Sequence, residues 1–523
     1  DNLSLGLPSS SSSSPSCPLS TVSEMDSTVI VVTAVPIISW VLAVVAGTLM
    51  PDSPLGVLSL RTSLTDLTLN RQSRLHILDV FRVLAILWVI MNHTGSEGRI
   101  DILERLPSAE AFKKAVHDHW LLGAFLGNSA LGVEVFLVLS GLLAARSWLK
   151  RANNPFTDHY FKYVSRRVFR LFPSVSLFVY IAAGPITKAL LPRFHSTMIS
   201  ACGASGVFSH ISFVGNWQDT PTCLGYLWYI GLDMQLHLVA PLFLHGLTRR
   251  PSTTVPLLIA TVLLSSIIRA GYCLAYGVCN KSDVDIPFIS YPDVDPSTVK
   301  SVYSGLWEMY ARPYTKCGPF LIGLLFGWAS AGWERRGERI GNGLATVLIA
   351  GGFVLGVTTI YSILPEYWYP EMGPNVYNVT YTATFRSVFA LAMVMMIAGL
   401  TQSDHVLSSP ALVWSILARL TFSAYLLHMP VVYVFNHLSF LQKAQTAEAL
   451  IVVLPFVALL SFLLATPFYL FVESPIGRLV SSWDDYVIRS EVSSRAPSRS
   501  GSKTSLDSGI HSDKEQLVAK DSE

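Results

Sequence analysis

The chain has 523 residues, of which 51% are hydrophobic and only 14% charged, with a net charge of +2. Water-soluble domains carry about a quarter charged residues, so this chain lacks the charge to cover a surface in water, whereas lipid demands none. The same figures exclude a disordered chain, a collagen, a coiled coil and a disulfide miniprotein, and give no sign of a nucleic-acid partner.

Beginning at Asp1 rather than methionine, the chain reads as a fragment or processed form that has lost a signal peptide or an N-terminal domain. Residues 1–26, with six serines from Ser9 to Ser14, have the composition of a flexible segment. A helix needs about 20 apolar residues to cross hydrocarbon. Eleven segments qualify, at about 27–50, 75–93, 121–145, 171–191, 225–246, 254–276, 314–333, 342–362, 382–400, 412–436 and 450–473. The predicted fold class is therefore all-α, a polytopic membrane helix bundle. The fourth segment is the weakest, because it carries Pro185 and Lys188. Residues 480–523 are rich in Ser, Arg, Lys and Asp and hold almost no apolar run, the composition of a disordered tail.

Lys and Arg in the loops set the orientation. Loops after odd-numbered segments hold 15 basic residues in 75 positions, and loops after even-numbered ones hold 9 in 129. The first set is predicted cytosolic, which puts the N-terminus in a lumen or outside and the C-terminus in the cytosol. The endoplasmic reticulum and the plasma membrane both fit. Two sequons, at Asn280 and Asn378, fall in predicted outer loops. So do, there or at the edge, Cys202, Cys223, Cys273 and Cys279, where an oxidising compartment lets thiols pair. Cys202 with Cys223 and Cys273 with Cys279 is the economical pairing, and spacing leaves the other two open. No cysteine or histidine cluster has metal-ligand spacing, so no metal and no resident cofactor are expected.

Ionisable residues inside spans are costly and mark functional sites by default. The second segment holds Asp79, Arg82 and His93. Arg82 and His93 are almost three helical turns apart, so they leave one face about 16 Å from each other along the axis. Asp79, three residues before Arg82, is placed to pair with it. In the third segment Ser140-Gly141 lets another backbone come close, a packing role that competes with substrate binding. Arg166, Arg167 and Arg170 lie at the cytosolic surface, with Arg166 and Arg170 on one face. Arginine suits phosphate, although a basic anchor explains the same residues. The fifth segment presents Trp228, Tyr229, Asp233, Gln235 and His237. The two aromatics also fit an interfacial belt, but Asp233 and His237 share a face and need partners inside the bundle. The tenth segment carries His428 in Tyr425-Leu-Leu-His428-Met-Pro430.

At these residues the chain resembles the membrane acyltransferase-3 family, in its animal branch named for nose resistance to fluoxetine. The resemblance covers about residues 75–475. It rests on the ordered set of Arg82 and His93, Phe136–Gly141, the arginine-rich segment through Pro173, Trp228–Pro241, Tyr425–Pro430 and Glu473–Pro475. Asp233 and His237 stand where the wider family often has Glu and an aromatic, and the animal branch commonly has the Asp. Segment 27–50 is additional to the ten-helix core, and the cysteine-rich luminal domain frequent in that branch is lacking.

The resemblance implies a membrane O-acyltransferase that moves an acyl group from a cytosolic donor, acyl-CoA, to a hydroxyl-bearing lipid, glycan or small molecule reached from the other side. His93 would then be the general base and Arg82 would steady the donor. Asp79, Ser140, Trp228, Tyr229, Asp233, Gln235, His237 and His428 would bind substrates, and Arg166, Arg167 and Arg170 the donor phosphates. The distance from Arg82 to His93 matches an extended thioester arm and implies a through-membrane tunnel. The alternative is a non-enzymatic lipid or small-molecule transporter on the same scaffold. In the tail, Asp507-Ser508-Gly509-Ile510-His511-Ser512 resembles a degron that is phosphorylated at both serines, here Ser508 and Ser512, and read by a ubiquitin ligase. Two phosphates on a flexible segment suit docking to an arginine cluster.

Overall fold

The computed structural model describes residues 27–69, 74–95, 119–128, 131–150, 155–199, 202–218, 223–277, 279, 305, 307–369, 374–403, 412–436 and 447–482. Among them there is no β-strand, only an isolated bridge between Ile340 and Ser403. Eight helices are long and apolar enough to cross a membrane. They are α3 (Ile77–Gly95), α4 (Leu131–Leu149), α7 (Trp228–Arg249), α8 (Pro251–Tyr276), α10 (Asn342–Tyr361), α11 (Val376–Gln402), α12 (Leu412–Asn436) and α13 (Ala447–Phe468).

The other three expected spans, 27–50, 171–191 and 314–333, fall on helices outside those eight. The first, α1 (Ser27–Leu49), is followed by a break of 109° into residues 54–68, which end in α2 (Leu60–Thr68). Pro51 and Pro54 supply no backbone N–H there. The expected span 171–191 lies partly in α5 (Phe156–Ala183), but after Arg170 that helix has only residues 171–183 left, too few to span alone. The last, α9 (Pro313–Arg335), is long enough but carries buried Lys316, and its Gly, Ser and Tyr residues lower its hydropathy. A helix surrounded by protein does not need to be apolar towards lipid. A short amphipathic helix, α6 (Gly203–Ile211), lies between α5 and α7.

The bundle is layered by exposure. α8 and α10 turn Leu257, Leu263, Ile267, Val347 and Phe353 outwards, each more than half exposed. α4, α7 and α12 contribute the largest shares of the buried core. Its tightest seam joins α4 to α9. A Cβ at Gly141 would collide with the carbonyl of Phe320, one at Gly323 with that of Val138, and one at Gly327 with that of Leu142. The Ser140-Gly141 pair thus has the close-packing role expected of it. At the end of α8, Gly277 takes φ +64°, and its N–H caps the carbonyl of Cys273. This left-handed cap suits glycine, and the Cys273–Cys279 disulfide closes over it.

Candidate active site

α3 runs unbroken from Ile77 to Gly95, so Arg82 and His93 share a face as expected. His93 and His428 are both buried. His93 Nδ1 lies 2.6 Å from His428 Nε2, and the two rings meet edge to edge, inclined by only 11°, with centroids 4.9 Å apart. His428 Nδ1 is 2.7 Å from the carbonyl of Tyr425. Pro430 has no N–H to give the carbonyl of Leu426 four residues earlier. The Tyr226 hydroxyl donates to that carbonyl at 3.0 Å, and the Tyr425 hydroxyl donates to the carbonyl of Tyr226. The Tyr-Leu-Leu-His-Met-Pro motif therefore builds a rigid wall that carries His428.

Arg82 lines a cavity of about 640 Å³ bounded by α3, α4, α5, α7 and α12. Six basic side chains face it: Arg82, Lys150, Arg166, Arg167, Arg170 and Arg419. Arg82 is paired with Asp79 at 3.1 Å, and Ser415 donates to the other oxygen of Asp79 at 3.1 Å. Arg419 donates to the carbonyl of Leu67 at 2.5 Å and to that of Leu69, which ties α2 to the cavity rim. Arg167 is bound to Asp233, and Arg166 and Arg170 line the cavity beside it. Asp233 also accepts from Ser140 Oγ at 2.5 Å. The ring nitrogen of His237 donates to the backbone carbonyl of Asp233 at 2.8 Å. Ser140, Arg167, Asp233 and His237, from three helices, thus form one network in the cavity wall.

Tyr229 lines the same cavity, but Trp228 and Gln235 do not. The Trp228 ring packs on Tyr310 and under the Lys316 ammonium. Gln235 donates to the carbonyl of Phe213 and to Asn216 and accepts from Trp217, which braces the turn before α7. The described cavity also ends short of His93. From the cavity wall a series of ring contacts leads to His428: Tyr229 meets Tyr425 edge-on at 6.0 Å, and Tyr425 lies 5.8 Å from His428.

The structure reveals further polar residues in the bundle. Glu134, fully buried, accepts through one oxygen from both Lys316 at 2.6 Å and Arg386 at 2.5 Å. Arg269, also fully buried, donates to the carbonyls of Thr315, Thr382 and Ala383. All four lie in expected spans, so the rule that picked out Asp79 and Arg82 would have found them had it been applied to every span. Glu473, from the Glu473–Pro475 motif, lines the cavity and accepts from Ser423 at 2.6 Å. The π-helical turn Tyr469–Glu473 that presents it follows Pro467, and such turns are frequent at functional sites.

On the side read as luminal, the cysteines pair as Cys202–Cys223 and Cys273–Cys279. Asn378 sits in the first turn of α11 and is 3% exposed, with Asn375 capping its backbone N–H at 2.9 Å. Asn280, Ser508 and Ser512 lie outside the described residues, as do residues 1–26 and all of the tail beyond its first three residues, 480–482, which are helical.

The sequence pattern of the acyltransferase-3 family, described as an acyltransferase domain, matches residues 75–470. The chain belongs to that family. The match encloses Arg82, His93, the arginine cluster, Asp233 and His428. A Caenorhabditis elegans protein named Regulator of hypoxia-inducible factor 1 is 57% identical over 449 residues, 86% of this chain and 88% of the relative. Nose resistant to fluoxetine protein 6, from the same organism, is 27% identical over 397 residues, 68% of this chain and 44% of that protein. No solved structure matches this acyltransferase-family chain. Family membership and the eight apolar helices make it a multi-pass membrane protein.

Proposed function

We propose that the chain is an O-acyltransferase that takes an acyl group from a cytosolic thioester, acyl-CoA, and passes it to a hydroxyl acceptor on the luminal or extracellular side. The observation that carries this reading is the cavity with six basic side chains, on the side that the loop charges make cytosolic. A nucleotide phosphate donor supplies the negative charge that such a cavity favours, and arginine forks suit phosphate oxygens. α1, α5 and α9 complete an eleven-helix bundle around it.

His93 acts as the general base. An imidazole whose ordinary pKa is about 6.5 suits proton abstraction near neutral pH. The acceptor is a membrane lipid, a glycan or another hydroxyl-bearing molecule, and of the two sequons only Asn280 is kept as a mark of the luminal face, because Asn378 is buried. A second reading, transport or regulation without chemistry, draws on the relative named as a regulator. The two separate in one experiment, with purified protein in phosphatidylcholine vesicles, acyl-labelled acyl-CoA outside and a membrane-lipid extract inside. Label transferred to a hydroxyl by the wild type and lost in His93→Ala, at equal protein abundance, supports transfer. An alanine variant with full turnover removes His93 from the mechanism. Ligand movement with no label transfer favours the second reading.

A further inference from the structure

The contacts of His93 and His428 fix more than their proximity. A carbonyl only accepts, so the 2.7 Å contact between His428 Nδ1 and the carbonyl of Tyr425 puts a proton on that nitrogen. A neutral imidazole carries one ring proton, which leaves His428 Nε2 as an acceptor. The 2.6 Å contact to His93 Nδ1 is then a hydrogen bond in which His93 donates. The lone pair of His93 is thereby assigned to Nε2.

We propose that His428 is a positioning residue: by accepting from His93 Nδ1 it holds His93 in the tautomer whose Nε2 is basic. The rigidity comes from the wall behind it. Tyr226 and Tyr425 are locked to each other's strand of backbone, and Pro430 makes the Leu426 carbonyl available for that lock. The neutral ring of His428 thus does for His93 what a carboxylate does for many catalytic histidines, without burying a negative charge.

The kinetic consequence rests on the proposed acyl transfer. Nε2 takes the proton of the acceptor hydroxyl as its oxygen bonds to the thioester carbonyl. The carbon–sulfur bond breaks, and the thiolate leaves with the proton held on Nε2, giving an ester and a free thiol. Throughout, Nδ1–H stays on His428, so the imidazolium formed between the two steps keeps a hydrogen-bond acceptor.

The test is magic-angle-spinning NMR of protein carrying ring-15N histidine in phosphatidylcholine vesicles, with the His93 signals identified by their loss in His93→Gln. The expected wild-type spectrum has His93 protonated on Nδ1 and not on Nε2. His428→Leu, which removes the acceptor, is expected to move that proton off Nδ1, and His428→Gln, which restores an oxygen acceptor, to return it. A proton on Nε2 in the wild type overturns the proposal, as does a tautomer that His428→Leu leaves unchanged. Should His428→Leu fail to fold, the wild-type spectrum and His428→Gln still decide. In turnover, His428→Leu should lower kcat by roughly 10²- to 10⁴-fold, the scale of a lost proton-transfer contribution, with KM for the thioester unchanged and partial recovery in His428→Gln. A wild type with the expected spectrum but no acyl transfer defeats the proposed function and leaves the tautomer assignment standing.

Discussion

The pair of Arg167 and Asp233 gives an asymmetric prediction. The Asp233 side chain is 6% exposed and that of Arg167 is 30% exposed, so the carboxylate is the buried partner. Arg167→Gln strands the carboxylate in the bundle with the Ser140 hydroxyl as its remaining short donor. Breaking a buried pair in this way costs about 3–5 kcal/mol. Asp233→Asn instead leaves a guanidinium that can turn into the cavity it already lines. The cost is then that of lost hydrogen bonds to charged groups, about 1.5–3 kcal/mol. The double variant removes both charges, so it should be more stable than the two single losses summed, by roughly 0.5–3 kcal/mol. The assay is denaturant unfolding in detergent micelles, read from midpoints at constant slope. Were Asp233→Asn to cost as much as Arg167→Gln, or were the two losses to add, the pair would not hold α5 to α7 as described.

Other residues give sharper contrasts. Gly141→Ala pushes a Cβ onto the backbone of Phe320, where no side chain can yield, so α4 and α9 must part. It should cost about 1–3 kcal/mol or more, whereas Gly271→Ala in α8, with nothing near its Cβ, should gain up to about 1 kcal/mol; unfolding midpoints of the two compare them directly. In the helical turn at residues 307–311, just before α9, the hydrogen bond from Arg312 holds the Glu308 carboxyl below its ordinary value. A depressed carboxyl stabilises the fold fully above its unfolded pKa and loses that contribution as pH falls through the folded value. Arg312→Met should therefore flatten stability measured between about pH 5 and pH 3, below the ordinary glutamate value near 4.3, and an unchanged profile would exclude the pair as its source. In cells, Ser508→Ala with Ser512→Ala should lengthen the protein's half-life while the tail's kinase is active, and an unaltered half-life would mark the motif as a chance match.

Much of the site was legible because the membrane makes each polar residue conspicuous. Arg82 and His93 on one face followed from their spacing alone, and so did the Asp79–Arg82 pair. Ser140-Gly141 was read as a place of close approach, which α9 occupies through Gly323 and Gly327. Partners from distant segments were not legible. Nothing in the spacing joins Arg167 to Asp233, 66 residues on, or His93 to His428, 335 residues on. The span count fell short for a related reason. Hydropathy rules assume that a spanning helix faces lipid, while α9 is buried and can keep Lys316 because Glu134 meets it. The bend after α1 falls between Leu49 and Pro54, at the end of the expected span 27–50, where Pro51 and Pro54 signal it.

The rings between the donor cavity and the histidines bear on how transfer can occur. Under the proposed reaction, a thioester at Arg82 and the arginine cluster would lie on the cavity side of the ring contacts that run from Tyr229 through Tyr425 to His428. Tyr425 is fixed at both ends: its hydroxyl is spent on Tyr226, and its own carbonyl holds His428. Displacing its ring would break the buried hydrogen bond to Tyr226, whereas the contact to His428 is made by its main-chain carbonyl and does not move with the ring. Tyr229 carries no such duty toward His428. It faces the cavity next to Ser140 and Phe136, and its ring reaches Tyr425 only through an edge contact. Under the proposed transfer, a rotamer change at Tyr229 would cost only an edge contact, whereas one at Tyr425 would also break the hydrogen bond that ties its hydroxyl to Tyr226, so the path should open first on the α7 side.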